Sequence, residues 1–248
     1  DAIQLMDADK TILKDTFVVV VQDIGSLPPA LDGIVGLSFL EKFDSISFNF
    51  VSGELILFSN GSALTEYDNP MKYEIAAQTN LSKTRLGIFV ASTTLDGRGP
   101  VEMIVDTGAV SSFLNWKGAS DMNLDKNHPL ISYNRDAIGV MGADNNALAL
   151  SHRFVLKRRV NFSSDAGDLT GMFAPGLDVS GDKDVGNNGV NIDIGDLPVL
   201  DNIKEAGGIL GSDILMLCDV VYLNNISIKN LSAQPKLTLL KVIEEESL

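Results

Sequence analysis

Fifteen residues restrict the fold more than any others: Val101-Glu102-Met103-Ile104-Val105-Asp106-Thr107-Gly108-Ala109-Val110-Ser111-Ser112-Phe113-Leu114-Asn115. An apolar run enters, Asp-Thr-Gly turns the chain, and a second apolar run leaves. Runs of this kind read as buried strands. They draw Asp106 toward a poorly solvated place, where a carboxylate is costly unless it is hydrogen-bonded or put to chemical use. Gly108 lets the backbone turn sharply beside the acid, and Thr107 offers a hydroxyl that can lock the turn to a neighbour. The same tripeptide also fits a plain strand end with a solvated turn, so the flanks decide between the two.

Upstream, Leu86-Gly87-Ile88-Phe89-Val90-Ala91 reads as a strand, Asp96-Gly97 as a tight turn and Val101 to Val105 as the returning strand. Far downstream comes Gly207-Gly208-Ile209-Leu210-Gly211-Ser212-Asp213-Ile214-Leu215, two apolar residues and a Gly leading into a short helix. Taken together and in this order, the two motifs resemble the aspartic proteases, specifically the retropepsin-like branch. The resemblance covers Tyr73 to Val242 as one lobe. It implies an all-β fold of the acid-protease type, a closed barrel or sandwich. It makes Asp106 catalytic and Thr107, Gly108 and Ala109 the rest of its loop. Ile209, Leu210 and Gly211 would support that loop from beneath, and Asp213 would bond nearby backbone or an Arg.

Part of the motif recurs. Asp23-Ile24-Gly25-Ser26-Leu27-Pro28 matches Asp193-Ile194-Gly195-Asp196-Leu197-Pro198, and Gly33-Ile34-Val35-Gly36-Leu37-Ser38-Phe39-Leu40 matches Gly208 to Leu215. Ile46-Ser47-Phe48 then answers Val220-Val221-Tyr222, and Leu55-Ile56-Leu57 answers Leu237-Thr238-Leu239. The alternative is chance likeness between β-rich segments. On the repeat reading, residues 1–60 are the C-terminal half of a first retropepsin-like lobe. Residues 61–72, polar with Asn-Gly and Asn-Pro turn signals nearby, are a linker. Residues 73–248 are a complete second lobe. No Asp in residues 1–60 is followed by Thr-Gly or Ser-Gly.

That matters because the chemistry of the family needs two acids. Two carboxylates a hydrogen bond apart share one proton; the ionised one takes a proton from water and the protonated one donates to the peptide carbonyl. This is the general logic of aspartic-protease dyads. Asp106 would be one member, with the other supplied by the missing first lobe of the same polypeptide or by a second copy. Ala109 stands where pepsin-like enzymes carry a hydroxyl that donates to the catalytic carboxylate. Its absence implies activity at less acidic pH. The substrate implied is a polypeptide, with no cofactor and no metal. Two rivals share the fold: a retropepsin-like module that binds or dimerises without cleaving, and a homodimeric protease using Asp106 twice. The partial first copy speaks against the second, because it would occupy the partner's place.

The remaining features bound these readings. The 248 residues hold one large domain or two small ones, and 45% apolar content with only 6% aromatics predicts an aliphatic core. The formal charge of −14 argues against nucleic acid and anionic membrane as partners. No apolar run reaches the roughly 18 residues of a membrane span. Cys218 is the single cysteine, so no intrachain disulfide forms, and its apolar neighbours predict a buried inert thiol. The chain opens Asp1-Ala2-Ile3 without a signal peptide or initiator Met, which reads as a piece of something longer. Sequons at Asn60, Asn80, Asn161, Asn225 and Asn230 hint at a secretory route; the compartment is otherwise open.

Three further segments carry expectations. Trp116 to Asn127 reads as a short helix. Val140 to Asn146 has turn chemistry before a strand from Ala147 to Val160. By resemblance this would be a flap closing over substrate, with Met141, Gly142 and Ala143 at its tip; an ordinary hairpin is the alternative. Asp165 to Asn191 is so rich in Gly, Asp and Asn that a long surface loop is expected. The spacing of Asp178, Asp182 and Asp184 does not fit a calcium loop of the EF-hand type. His128 and His152 lie beside no Gly-x-Ser-x-Gly elbow, and two His are too few for a typical zinc site.

Overall fold

Short apolar runs punctuated by Gly, Asp and Asn make strands rather than helices, and the computed structural model is mostly β. It describes residues 35–58, 72–141, 147–156, 159–163, 169–173, 190–227 and 233–243. Val35–Val140 and Leu148–Leu248 form one compact unit; Asp1–Ile34 with Met141–Ala147 form another, of which only Met141 and Ala147 are described. Helices among the described residues are short: Leu37–Leu40, Trp116–Asp121, Pro198–Asp201 and Ser212–Leu215.

Five strands make one antiparallel sheet: β1 (Ser45–Asn49), β2 (Glu54–Phe58), β3 (Tyr73–Asn80), β14 (Val220–Asn224) and β15 (Lys236–Val242), in the order β2-β1-β14-β15-β3. The other ten make a second sheet. They are β4 (Ser82–Lys83), β5 (Phe89–Leu95), β6 (Arg98–Val105), β7 (Phe113–Leu114), β8 (Ile131–Met141), β9 (Ala147–Leu156), β10 (Arg159–Ser163), β11 (Leu169–Phe173), β12 (Val190–Ile194) and β13 (Gly208–Leu210). Its order is β11-β10-β5-β6-β13-β7-β12-β9-β8, with β4 beside β5.

The β5–β6 hairpin turns where the sequence places it. Asp96 and Gly97 both take positive φ, 51° and 75°. Consecutive positive φ values suit the twist of a tight hairpin, and Asp-Gly tolerates them. Trp116 does start a helix, but it ends at Asp121 rather than running to Asn127. Asn115 caps its start by accepting from Gly118 N–H at 2.7 Å, and Asn123 leaves it with φ 57°. The stretch 165–191 departs from a plain loop. Leu169–Phe173 forms β11, paired along β10 from Ser163↔Leu169 to Arg159↔Phe173. Leu169, Met172 and Phe173 interrupt an otherwise polar run, and a ready strand edge is enough to order them. Asp178, Asp182 and Asp184, whose spacing does not fit a calcium loop, lie outside the described residues, as do Asp23–Pro28 and most of the linker.

The core between the strands is aliphatic, as the composition predicts. Val90, Ile104, Phe113, Leu150, Leu197, Leu200, Ile203 and Ala206 cluster with Ile88 and Ile209 against them. Arg153 bonds Asp193 at 2.8 Å across β9 and β12, and the Asp193 side chain is 3% exposed.

Element positions and register show a regularity. The helices Leu37–Leu40 and Ser212–Leu215 start at positions 37 and 212, and β1 and β14 at 45 and 220, 175 apart in both cases. Strands β1 and β14 also pair with each other. Shifted by 175, the pair Ser45↔Asn224 becomes Asn49↔Val220, and Ser47↔Tyr222 becomes itself. The ladder is therefore unchanged by exchange of its strands. The neighbouring ladders keep the register with a longer connection: Ser45↔Phe58 through Asn49↔Glu54 correspond to Val220↔Leu240 through Asn224↔Lys236, the outer strands lying 182 positions apart. These positions set Ile46 against Val221, one residue from the match suggested by the side chains. Interchangeable Ile and Val do not define a register; the backbone pairing does.

Candidate active site

The strand β13 lies between β6, to which it runs parallel, and β7, to which it runs antiparallel. Leu210 pairs with Val105 and Ile209 with both Ile104 and Phe113. The three strands bracket residues 106–112. Asp106 N–H donates to Leu210 O at 3.1 Å, and Ala109 N–H to Asp106 O at 3.2 Å. The Asp106 carboxylate accepts from Gly108 N–H at 2.9 Å. A Cβ on Gly108 would stand 3.2 Å from that same carboxylate oxygen, so the glycine leaves the acid room. Asp106 is half-buried rather than fully buried. The loop tip projects: Gly108 is exposed and Val110 is 81% exposed. Among the described residues no salt bridge engages Asp106.

From below, the turn into the helix Ser212–Leu215 holds the loop. Ser212 N–H donates to Ala109 O at 2.8 Å and its hydroxyl to Thr107 O at 2.9 Å. Asp213 accepts twice from Ser112, from N–H at 2.9 Å and from the hydroxyl at 2.6 Å. The Ser112 hydroxyl in turn accepts from Gly211 N–H at 2.9 Å. Ile209, Leu210, Gly211 and Asp213 are thus brought together with Asp106, Thr107, Gly108 and Ala109. Ser112 and Ser212 are the support residues that sequence reasoning missed. The signal for Ser212 was its place between the Gly and the helix; nothing local marked Ser112 as the partner of a distant acid. Of the suggested flap tip, Met141 ends β8, while Gly142 and Ala143 lie outside the described residues.

Replacing Asp213 by Ala strips both acceptors from the buried Ser112. Stability is expected to fall by about 2 kcal/mol, read from chemical denaturation. Asp213→Asn keeps one acceptor oxygen and should cost less.

A depression of about 570 Å³ flanks the loop, lined by Thr107, Gly108, Val110, Ser212, Asp213, Met216 and Leu217. Three residues past the Ser212–Leu215 helix, Cys218 is buried, and desolvation pushes its thiol pKa up to about 12. The thiolate is the reactive form, so alkylation of the native chain at pH 8 should be negligible and become complete on unfolding, as mass spectrometry would show. His152 accepts from or donates to the Ser151 hydroxyl at 2.9 Å and meets the rings of Trp116 and Tyr133. Burial, then the charge of Lys126, lower its pKa.

No protein-family model matches the chain, and no curated protein does. Among solved structures, it is similar to a retropepsin-like aspartic protease from Rickettsia conorii at 14% identity and a TM-score of 0.38, over 69% of this chain and 96% of that one. The likeness is slight, and it is the geometry around Asp106 that bears on chemistry.

Proposed function

We propose that the chain is the larger part of an aspartic endopeptidase, with Asp106 as one acid of its dyad. The observation that carries this is a carboxylate free of ion pairing among the described residues, standing half-buried on a loop held at Asp106, Thr107, Ala109 and Ser112. Such a group is held in place, yet its charge is not spent on a structural partner. Residues 73–248 would form one acid-protease lobe and residues 1–60 the end of another, joined by 61–72. The exchange-invariant β1–β14 ladder supports this two-lobe reading.

In the reaction, the ionised carboxylate of the dyad takes a proton from water as the water oxygen bonds to the peptide carbonyl carbon. The protonated carboxyl gives its proton to the carbonyl oxygen. Collapse of the tetrahedral intermediate breaks the C–N bond, and the leaving amine takes up a proton from the dyad. Asp106 alone supplies one carboxylate, so the chain without its twin acid should cleave weakly or not at all.

The test is cleavage of an unfolded polypeptide by the assembled protein across pH, with and without pepstatin. Pepstatin-sensitive cleavage is expected. With Ala109 in place of a hydroxyl donor, its maximum should lie above about pH 3. Cleavage indifferent to pepstatin would reject the proposal, and a maximum well below that pH would reject the role given to Ala109.

A further inference from the structure

One cross-strand row of the ten-stranded sheet ends on a titratable group. Register places Ala91, Met103, Gly208, Leu114, Ile194 and His152 opposite one another in turn across β5, β6, β13, β7, β12 and β9. Ala91, Met103, Leu114 and Ile194 are fully buried. Directly opposite residues share a face, so an apolar side chain would continue the row at position 152. A half-buried imidazole stands there instead, and rings close around it. Trp116, at the start of the helix Trp116–Asp121, lies edge-to-face with it at 4.9 Å between ring centroids, and Tyr133 of β8 at 5.5 Å. The same indole carries a second basic group. The Lys126 ammonium stands over it, 5.0 Å from the ring centroid.

The surroundings of His152 hold little to welcome a positive charge. Ser151 shares a hydrogen bond of 2.9 Å with Nδ1 and serves either charge state, because a hydroxyl both donates and accepts. Ile194 is opposite on β12. Arg153 and Asp193, the next residues along the two strands, turn to the other face and hold each other at 2.8 Å. From β8 comes the phenol ring of Tyr133. Before β8, Lys126 is the charge felt at the imidazole. Lys117 pairs with Asp121, Asp125 accepts from Asn127 N–H, and His128 accepts from Leu130 N–H. Among the described residues no carboxylate pairs with His152.

We propose that His152, Trp116 and Lys126 form a proton-operated latch: Lys126 rests on the indole while the imidazole is neutral, and a proton on the imidazole drives the ammonium off. The indole attracts either cation alone. Brought to the same ring the two repel, and Lys126, whose side chain is exposed, is the one with room to leave. The direction of the titration agrees. Burial, then Lys126, hold the imidazole's pKa below its ordinary 6.5. The closed latch is therefore complete above that pH and is lost as pH falls through the lower value. Lys126 belongs to residues 122–130, which join the helix Trp116–Asp121 to β8. The latch fastens that connection to the start of the helix near neutrality and frees it in acid. No step of peptide hydrolysis enters this inference, so it stands or falls apart from the proposed function.

Trp116 is the only tryptophan, and its fluorescence reads the latch in the 248-residue chain. Emission and its quenching by acrylamide are followed from about pH 8 to about pH 5, the range in which imidazole ordinarily titrates. One transition is expected, with its midpoint below 6.5. On its acid side emission moves to longer wavelength and acrylamide quenches more strongly, because the departing ammonium uncovers the ring. His152→Phe keeps a ring in place and should abolish the transition, while His128→Asn should leave it. Lys126→Met removes the opposing charge, so the midpoint should rise and the gain in quenching should vanish. Far-UV circular dichroism reports that each variant is folded. With only two histidines in the chain, their imidazole proton resonances give the midpoint of His152 without any substitution. The inference is overturned by a flat indole signal while His152 titrates, by a transition that survives His152→Phe, or by quenching that rises equally in Lys126→Met.

Discussion

Asp106→Asn in the assembled protein is expected to lower peptide cleavage by about 10³-fold or more, since a positioned acid–base group contributes on that scale. The substitution is nearly isosteric, and the bond it must preserve is known. Asp106 accepts from Gly108 N–H at 2.9 Å, and the amide oxygen of Asn accepts there equally well. The backbone bonds from Asp106 N–H to Leu210 and from Ala109 N–H to Asp106 O do not involve the side chain. The loop should therefore keep its shape, and the thermal midpoint should move by no more than a few degrees. Asp106→Ala would mix two effects, because it also removes the acceptor for Gly108. Full cleavage by a folded Asn variant would show that the carboxylate does no chemistry. The cleavage would then have to come from another site, and the dyad reading would fall.

A large effect on stability is expected at Gly211, directly beneath the Asp106 loop. A Cβ there would stand 2.5 Å from Ser111 O, 2.6 Å from Ser111 C and 3.0 Å from Ala109 O. All three atoms are backbone of the Asp106 loop, so no side chain can swing away. The φ of Gly211 is −94°, open to any residue, so the demand is for space and not for conformation. Gly211→Ala should cost about 3 kcal/mol, a fall of roughly 6–12 °C in Tm for a protein of this size. Any residual cleavage should fall further than stability does, because the displaced backbone carries the catalytic loop. The matched control lies 175 positions earlier. A Cβ on Gly36 meets nothing within 4 Å, and Gly36→Ala in the 248-residue chain should change stability by less than about 0.5 kcal/mol. Equal costs at the two glycines would mean that the crowding around Gly211 is not what holds the loop.

Much of this site is legible in the linear chain. The strand into Asp106, the Asp-Gly hairpin before it and the inert thiol at Cys218 follow from apolar runs, turn residues and local composition. The departures have physical reasons. The helix from Trp116 is shorter than its sequence window because Asn123 adopts a left-handed conformation. Strand β11 arises within a polar stretch because β10 offers it an edge. Asp106 is less buried than flanking strands suggest, because the loop tip extends beyond them.

The local sequence determined which residues turn, which enter strands and where an acid would sit between two apolar runs. Alternation and turn chemistry act over a few residues and need no distant partner. Only the tertiary structure decided what that acid's loop rests on. Ser112 and Asp213 bond across 101 positions, and Gly211 is closed in by a backbone that no local pattern brings near. Burying a strand constrains its faces but does not name its neighbours; those are settled when β13 enters between β6 and β7 and their hydrogen bonds are made.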